Sequence, residues 1–200
     1  RFGYRSAEQA DSVLQAMREK GYPTDAIILD IYWFGPELEN GKMGQLAWDK
    51  TNWPNPRQMI NKWKDQGIHT IVVTEPFFTK KSINFNELDS LGYLANDSLG
   101  NSATIPGFYF GEAGLLDVFQ TEAKKWMWNK YKRLKSDGVD GWWVDLGEPE
   151  QHPSYMIHAT GPAERVHGAY GHEWAKMLYH GYKEDYPKER LFHMGRSGFA

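Results

Sequence analysis

Three charged side chains follow short apolar segments of this chain, and they are the residues best placed to carry out chemistry. Asp145 comes directly after the apolar residues 141–144, Asp30 after residues 26–29, and Arg196 shortly after residues 190–194, a segment that also contains Arg190 and His193. A carboxylate held at the end of a buried strand, between indoles, can act as a nucleophile. An aspartate in such a place also often caps the following loop, and the residue types alone leave both interpretations open.

Two patterns are compatible with metal binding, and neither is favoured. Residues 171–174 begin like a zinc-binding helix, but Lys176 stands where the second histidine would be needed. A cation site in one loop could be formed by Asp145, Glu148, Glu150 and His152. We therefore expect neither a metal nor another cofactor.

The segments that carry these side chains alternate with amphipathic helices. Ser6 and Gln9 form a capping box for a first helix that ends at Gly21, and Asn55 caps a second helix that begins at Pro56. Two further helices are predicted over residues 117–138 and from residue 162 to just before residue 187. The strands predicted between and after them cover residues 26–31, 68–74, 141–146 and 190–194.

This alternation of helices and buried strands predicts an α/β protein, either an open doubly wound sheet or a closed barrel. No glycine-rich phosphate loop follows any strand, and polar residues stand at the strand ends, with Glu75 after residues 68–74. Long segments at 32–54, 76–116 and 147–161 follow the strands, as loops around a substrate site do. These features favour a (β/α)8 barrel, whose active site lies at the C-terminal ends of its strands.

Composition narrows the possible partners. The chain has 200 residues, a net charge of −3 and no cysteine, which excludes disulfides and thiolate chemistry. It has no basic cluster and no long apolar segment, so we expect neither nucleic acid nor a membrane as a partner. Aromatic residues make up 15% of a chain whose mean hydropathy is −0.67, a combination that suits sugars. The compartment and the oligomeric state stay open.

Six segments, in order along the chain, resemble family 31 of the glycoside hydrolases. Residues 142–149 are similar to the family's nucleophile motif Trp-x-Asp-Met-Asn-Glu, and residues 29–33 to its Asp-Ile-Asp-Tyr-Met strand. The remaining matches are residues 48–56, 67–76, 167–171 and 195–199. They extend over nearly the whole chain.

The resemblance implies a retaining hydrolase of α-linked sugars with Asp145 as the nucleophile. Asp30 and Arg196 match positions that bind hydroxyls of the sugar in subsite −1. Ile31, Trp143 and Leu146 match the walls of that pocket. Glu148 matches a residue that contacts the residues of the pocket and not the sugar. The substrate implied is an α-linked oligosaccharide or glycoside.

Departures from the family pattern leave the sugar open. Leu146 and Gly147 replace the common Met-Asn, Tyr32 and Trp33 replace Asp-Tyr, and residues 105–107 read Ile-Pro-Gly where many members have Trp-Pro-Gly. We favour an exo-acting α-glucosidase. The alternatives are an α-xylosidase, an α-galactosidase and a barrel that binds carbohydrate without catalysis.

The number of helix–strand units predicts that residues 1–200 are part of a single catalytic barrel domain. About four strands are present, which corresponds to roughly the first half to five-eighths of a barrel. A retaining mechanism needs a second carboxyl group as acid/base. We expect that residue, the rest of the barrel and flanking β domains to lie outside this sequence, and residues 1–200 alone to be inactive.

Overall fold

The computed structural model of this chain describes residues 3–35 and 42–197. Residues 36–41, which belong to the long segment 32–54, and residues 198–199, the end of the last family match, lie outside the described residues. The five helices within it are α1 (Ala7–Glu19), α2 (Pro56–Lys64), α3 (Phe85–Leu91), α4 (Thr121–Ser136) and α5 (Ala163–Asp185). The strands are β1 (Ala26–Leu29), β2 (His69–Thr74), β3 (Phe77–Thr79), β4 (Thr104–Ile105), β5 (Ala113–Leu115), β6 (Gly141–Val144), β7 (Ile157–His158), β8 (Gly161–Pro162) and β9 (Phe192–Gly195).

A parallel four-stranded sheet in the order β1-β2-β6-β9 forms the centre of the described fold. Its strands are connected by helices, as the alternation in the sequence predicts. The side chains of the central strands β2 and β6 are mostly buried, whereas those of the edge strand β9 are mostly exposed. Five tryptophans are almost fully buried, and the indole N–H of Trp33 donates to the Val73 carbonyl at 2.9 Å. Much of the high aromatic content therefore stabilises the core.

Two helix starts test the predicted caps. The Ser6 hydroxyl accepts a hydrogen bond from the Gln9 N–H at 3.2 Å, which confirms the cap of α1. Asn55 precedes α2 as expected, but its side chain makes no capping bond. The prediction of an Asn55 side-chain cap was therefore wrong. Pro56 still favours the helix start because its fixed φ suits the first helical position.

Two strands, β1 and β6, end two residues earlier than predicted. The Asp30 carboxylate accepts from the Ile31 N–H at 2.8 Å, and a 3₁₀ helix over Ile31–Phe34 follows directly. After β6, Leu146 has φ of 57°, in the left-handed region, so the chain leaves the sheet there. Each turn places a predicted site residue at a strand end instead of inside the strand.

The long segments after β2 and β6 contain regular structure that the sequence pattern did not predict. Strands β3, β5 and β4 form a small antiparallel sheet, and β7 and β8 form a hairpin. These strands have two or three residues each, too few to give a periodic hydrophobic pattern. They fold the predicted loops over one end of the parallel sheet.

Candidate active site

The register of the parallel sheet brings the charged strand-end residues together. Thr74 pairs with Val144, and Val144 pairs with Gly195, so Glu75, Asp145 and Arg196 follow in one row. β1 ends two residues earlier, since Leu29 pairs with Val72, and Asp30 comes next. The C-terminal ends of parallel strands meet at one edge of a sheet, and these four side chains line a common cavity of about 700 Å³.

Backbone groups of two neighbouring residues, Thr74 and Leu146, hold Asp145 in place. Its N–H donates to the Thr74 carbonyl at 3.0 Å, which extends the β2–β6 pairing by one bond. Burial raises the pKa of Asp145 above its ordinary value, while the Leu146 N–H and the positive charge of Arg196 act in the opposite direction. The carboxylate is thus rigid, partly desolvated and next to a cation.

Arg196 connects three carboxylates. Its Nε lies 2.6 Å from Glu148 Oε1 and 3.7 Å from Asp145 Oδ1, and its Nη2 donates to Glu150 Oε2 at 2.7 Å. Hydrogen bonds to Glu148 and Glu150 raise the pKa of Arg196, so it is charged at any working pH. The guanidinium is fixed in place by the loop that follows β6.

Six of the seven residues predicted for the site line the cavity, namely Asp30, Ile31, Trp143, Asp145, Leu146 and Arg196. Glu148 is not part of the lining and instead binds Arg196. Its contact with the cavity is through Arg196, and its supporting role stays a prediction.

Glu75 is the most unusual group of the cavity. Its side chain is 1% exposed, and neither carboxyl oxygen has a hydrogen-bond partner in another described residue. Burial raises its pKa well above the ordinary value, and repulsion from Asp145 and Asp30 adds to this effect. A buried carboxylate without a hydrogen-bond partner is costly, so the surroundings of Glu75 favour its neutral form.

A chain of histidines anchors the loop after β6. His152 Nε2 lies 2.7 Å from His158 Nε2, His152 Nδ1 lies 3.2 Å from His167 Nδ1, and His158 Nδ1 lies 3.1 Å from Asp117 Oδ1. Burial and the two neighbouring histidines lower the pKa of His152 to about 4. A neutral His152 ring has one N–H and one acceptor nitrogen, so it can donate to one of its two neighbours and accept from the other, and a second proton on His152 would disrupt this chain.

The carboxylates and histidines of the described residues do not assemble into a metal centre. Within residues 3–35 and 42–197, no group of three or more histidine or acidic side chains has a geometry that could hold a metal ion. In the same part of the chain, every helix is too short or too polar to cross a bilayer.

Comparison with known proteins identifies this arrangement. The family description "Glycosyl hydrolases family 31 TIM-barrel domain" matches residues 1–200. The chain belongs to glycosyl hydrolase family 31. Its fold class is therefore the (β/α)8 barrel, as predicted, and not the open doubly wound sheet. The parallel strands β1, β2, β6 and β9 are strands of that barrel.

Relatives within family 31 differ in the substrates their names give. A solved structure of a dextranase from Flavobacterium johnsoniae complexed with glucose has a TM-score of 0.90 and 28% identity, and covers all of this chain and 25% of that one. Glucosidase 2 subunit alpha of Schizosaccharomyces pombe is 29% identical over 213 residues, and an alpha-xylosidase of Saccharolobus solfataricus is 29% identical over 150 residues. The alignments cover 100% and 74% of this chain, but only 22% and 18% of those two relatives. All three are glycosidases by name.

Four lining residues were not predicted for this family 31 site. They are Met43, Glu75, Tyr109 and Phe110, and Glu150 also lines the cavity although no sugar-binding role was predicted for it. Glu75 was predicted to follow a buried strand, as Asp145 does, but no role in the site was predicted for it. Tyr109 and Phe110 lie in a long loop, where no periodic pattern indicates which side chains reach the site.

Proposed function

We propose that the complete protein is a retaining α-glycoside hydrolase in which Asp145 is the nucleophile. The observation that carries the proposal is the position of Asp145 at the end of β6, facing one cavity with Asp30 and Arg196, in a chain of family 31. In such a mechanism, the carboxylate attacks the anomeric carbon while a second carboxyl group protonates the leaving oxygen. Water then releases the sugar from the covalent glycosyl-enzyme.

The surroundings of Asp145 support this role. A nucleophile must be ionised, and the charge of Arg196 at 3.7 Å favours the ionised form against the effect of burial. Asp30 and Arg196 offer an acceptor and a donor for sugar hydroxyls, and Ile31, Trp143 and Leu146 provide apolar walls. The chain spans about a fifth to a third of the length of its curated relatives, and the acid/base is proposed to lie outside residues 1–200. We propose that these residues form part of one barrel domain.

For the substrate, we propose α-glucosides, from which the enzyme removes the terminal glucose. A glucosidase and a dextranase are among the relatives, and the dextranase structure contains glucose. The alpha-xylosidase relative makes α-xylosides the second candidate. An α-galactoside is the third substrate for the test.

The test of the nucleophile is covalent labelling. The complete protein is incubated with a 5-fluoro-α-glucosyl fluoride, digested, and the adduct is located by mass spectrometry. We expect the label on Asp145, and Asp145→Asn should lower kcat by at least about 1,000-fold. Asp65→Asn, on the exposed end of α2, is the matched control and should keep full activity.

A label on another residue, or full activity of Asp145→Asn, would refute the assignment. Sugar binding without labelling or turnover would instead support a barrel that has lost catalysis. A panel of aryl α-glucoside, α-xyloside and α-galactoside then ranks the sugars by kcat/KM.

A further inference from the structure

An aromatic segment of the loop between β4 and β5 reaches the cavity. Phe108 is buried and stacks on Phe77, with ring centroids 4.5 Å apart and an angle of 28° between the rings, which anchors the segment to the core. The next two side chains, Tyr109 and Phe110, line the same cavity as Asp145. Tyr109 is 60% exposed, so its ring is accessible to a ligand.

The Tyr109 ring is held in place from the catalytic side of the cavity. Its hydroxyl donates to Glu150 Oε1 at 3.2 Å, and Glu150 Oε2 accepts from Arg196 Nη2 at 2.7 Å. One carboxylate therefore links the tyrosine to the arginine beside Asp145. An exposed tyrosine without such a partner would sample several rotamers, whereas this one is fixed as a surface.

The cavity has two chemically different parts. At the strand ends, Asp30, Asp145 and Arg196 present polar groups that suit sugar hydroxyls, and Trp143 and Leu146 close the walls around one ring. Tyr109 lies in the loop between β4 and β5 and is 60% exposed, and its apolar ring face suits the C–H face of a pyranose. A cavity of about 700 Å³ leaves room for a second ring beyond the first.

We propose that Tyr109 is the platform for the sugar on the leaving-group side of Asp145, so that the site takes an α-linked glucan of at least two residues. The inference rests on the proposed function, because it presumes that the first ring sits at the strand ends. In an enzyme that removes the terminal sugar of a glycan, the second sugar can lie only on the leaving-group side. Tyr109 is the exposed aromatic residue that could contact it there.

Two kinds of substrate distinguish a sugar platform at Tyr109 from a general structural role of this residue. Maltose and isomaltose carry a second glucose, while α-glucosyl fluoride has a fluoride leaving group that cannot contact Tyr109. We expect Tyr109→Ala to lower kcat/KM for the disaccharides by about five- to tenfold, and for the fluoride by less than about twofold. Tyr109→Phe keeps the ring, loses only the bond to Glu150, and should lie between wild type and Tyr109→Ala.

Tyr155→Ala is the matched control. Tyr155 is also an exposed tyrosine, 48% accessible, with a hydroxyl that donates to the Thr104 carbonyl at 2.8 Å, and it does not line the cavity. Its replacement should not change the ratio of disaccharide to fluoride turnover. Thermal melts of all variants report whether they remain folded.

Equal losses on the disaccharides and the fluoride, or no loss on either disaccharide, would overturn the platform while leaving Asp145 as nucleophile. An absence of fluoride turnover and of covalent labelling in the wild-type protein would overturn the proposed function itself. The two failures are therefore distinguishable.

Discussion

Replacing Arg196 by glutamine should raise the pKa of Asp145 and move the acidic limb of the pH–rate profile upward. The Nε of Arg196 lies 3.7 Å from Asp145 Oδ1. Coulomb's law gives about 4.5 kcal/mol for unit charges at this distance with an effective dielectric constant of about 20, and about 1 kcal/mol in bulk water. Because 45% of the arginine side chain is exposed, the contribution lies toward the lower value, about 1.5 kcal/mol.

This energy corresponds to about one pKa unit. A nucleophile is active when ionised, so a higher pKa of Asp145 means that activity is lost at a higher pH as the solution is acidified. The variant also leaves Glu148 and Glu150 without their cation, and their negative charges shift the limb in the same direction.

The assay is kcat/KM for α-glucosyl fluoride as a function of pH, since this quantity reports ionisations of the free enzyme. Arg196→Gln should move the acidic limb up by about one unit, in addition to any uniform loss of activity. Arg196→Lys keeps the charge and should shift it less. Arg57→Gln removes an exposed arginine that pairs with Asp137 at 3.6 Å and should not shift it. An unmoved or lowered limb in Arg196→Gln would refute the electrostatic reasoning.

Three further predictions concern stability, measured as Tm of the complete protein. The pKa of Glu75 is raised in the folded state, so its contribution to stability is present below about pH 4.5 and is lost as the pH rises. Because Gln cannot ionise, Glu75→Gln should gain stability relative to wild type as the pH rises. The pKa of His152 is lowered to about 4, so its contribution is present above about pH 6.5 and lost as pH falls toward 4; His152→Asn should show a shallower loss on the acid side. Gly181→Ala places a methyl group 2.4 Å from the Trp128 ring and should destabilise by about 1 to 3 kcal/mol, whereas Gly168→Ala on the same helix meets no atom within 4 Å and should stabilise by up to about 1 kcal/mol.

For each of these three stability predictions, one result would contradict the reasoning. A Tm difference for Glu75→Gln that does not change with pH would mean that this carboxyl is not neutral in the folded protein. Parallel acid-side losses in wild type and His152→Asn would remove His152 from the pH response. Equal effects of the two alanine substitutions in α5 would show that the close approach of Trp128 at Gly181 is relieved without cost.

The sequence predicted the positions of the strand ends well, because these positions follow from the pattern of apolar residues. Buried parallel strands have nearly continuous apolar residues, so the first polar residue after each one marks the end of the strand. Asp30, Glu75, Asp145 and Arg196 were predicted at strand ends on this basis, and the register brings them to one cavity. The roles of Asp30 and Arg196 in sugar binding came from the family resemblance. The error of one or two residues in the strand ends came from side-chain and turn effects, such as the bond from the Ile31 N–H to Asp30.

Sequence patterns were not informative about the ionisation state of Glu75. Its type and position resemble those of Asp145, since both follow a buried strand. The difference arises from three-dimensional surroundings, because Asp145 has a cation at 3.7 Å and Glu75 has only two like charges nearby together with complete burial. Charge state depends on contacts between distant segments, which residue order along one strand does not contain.

The division between strand ends and loops explains why this chain indicates a reaction more readily than a substrate. Groups that would act on the bond being cleaved are fixed by backbone register, which changes little while the fold is kept. Tyr109, by contrast, is placed by the stacking of Phe108 on Phe77 and by one hydrogen bond to Glu150, and a few loop substitutions can alter both. Glu150 joins the two parts because it binds both Tyr109 and Arg196. If the platform is correct, changes that select among α-linked substrates should concentrate in residues 105–110 and around Glu150, while Asp30, Asp145 and Arg196 tolerate none without loss of catalysis.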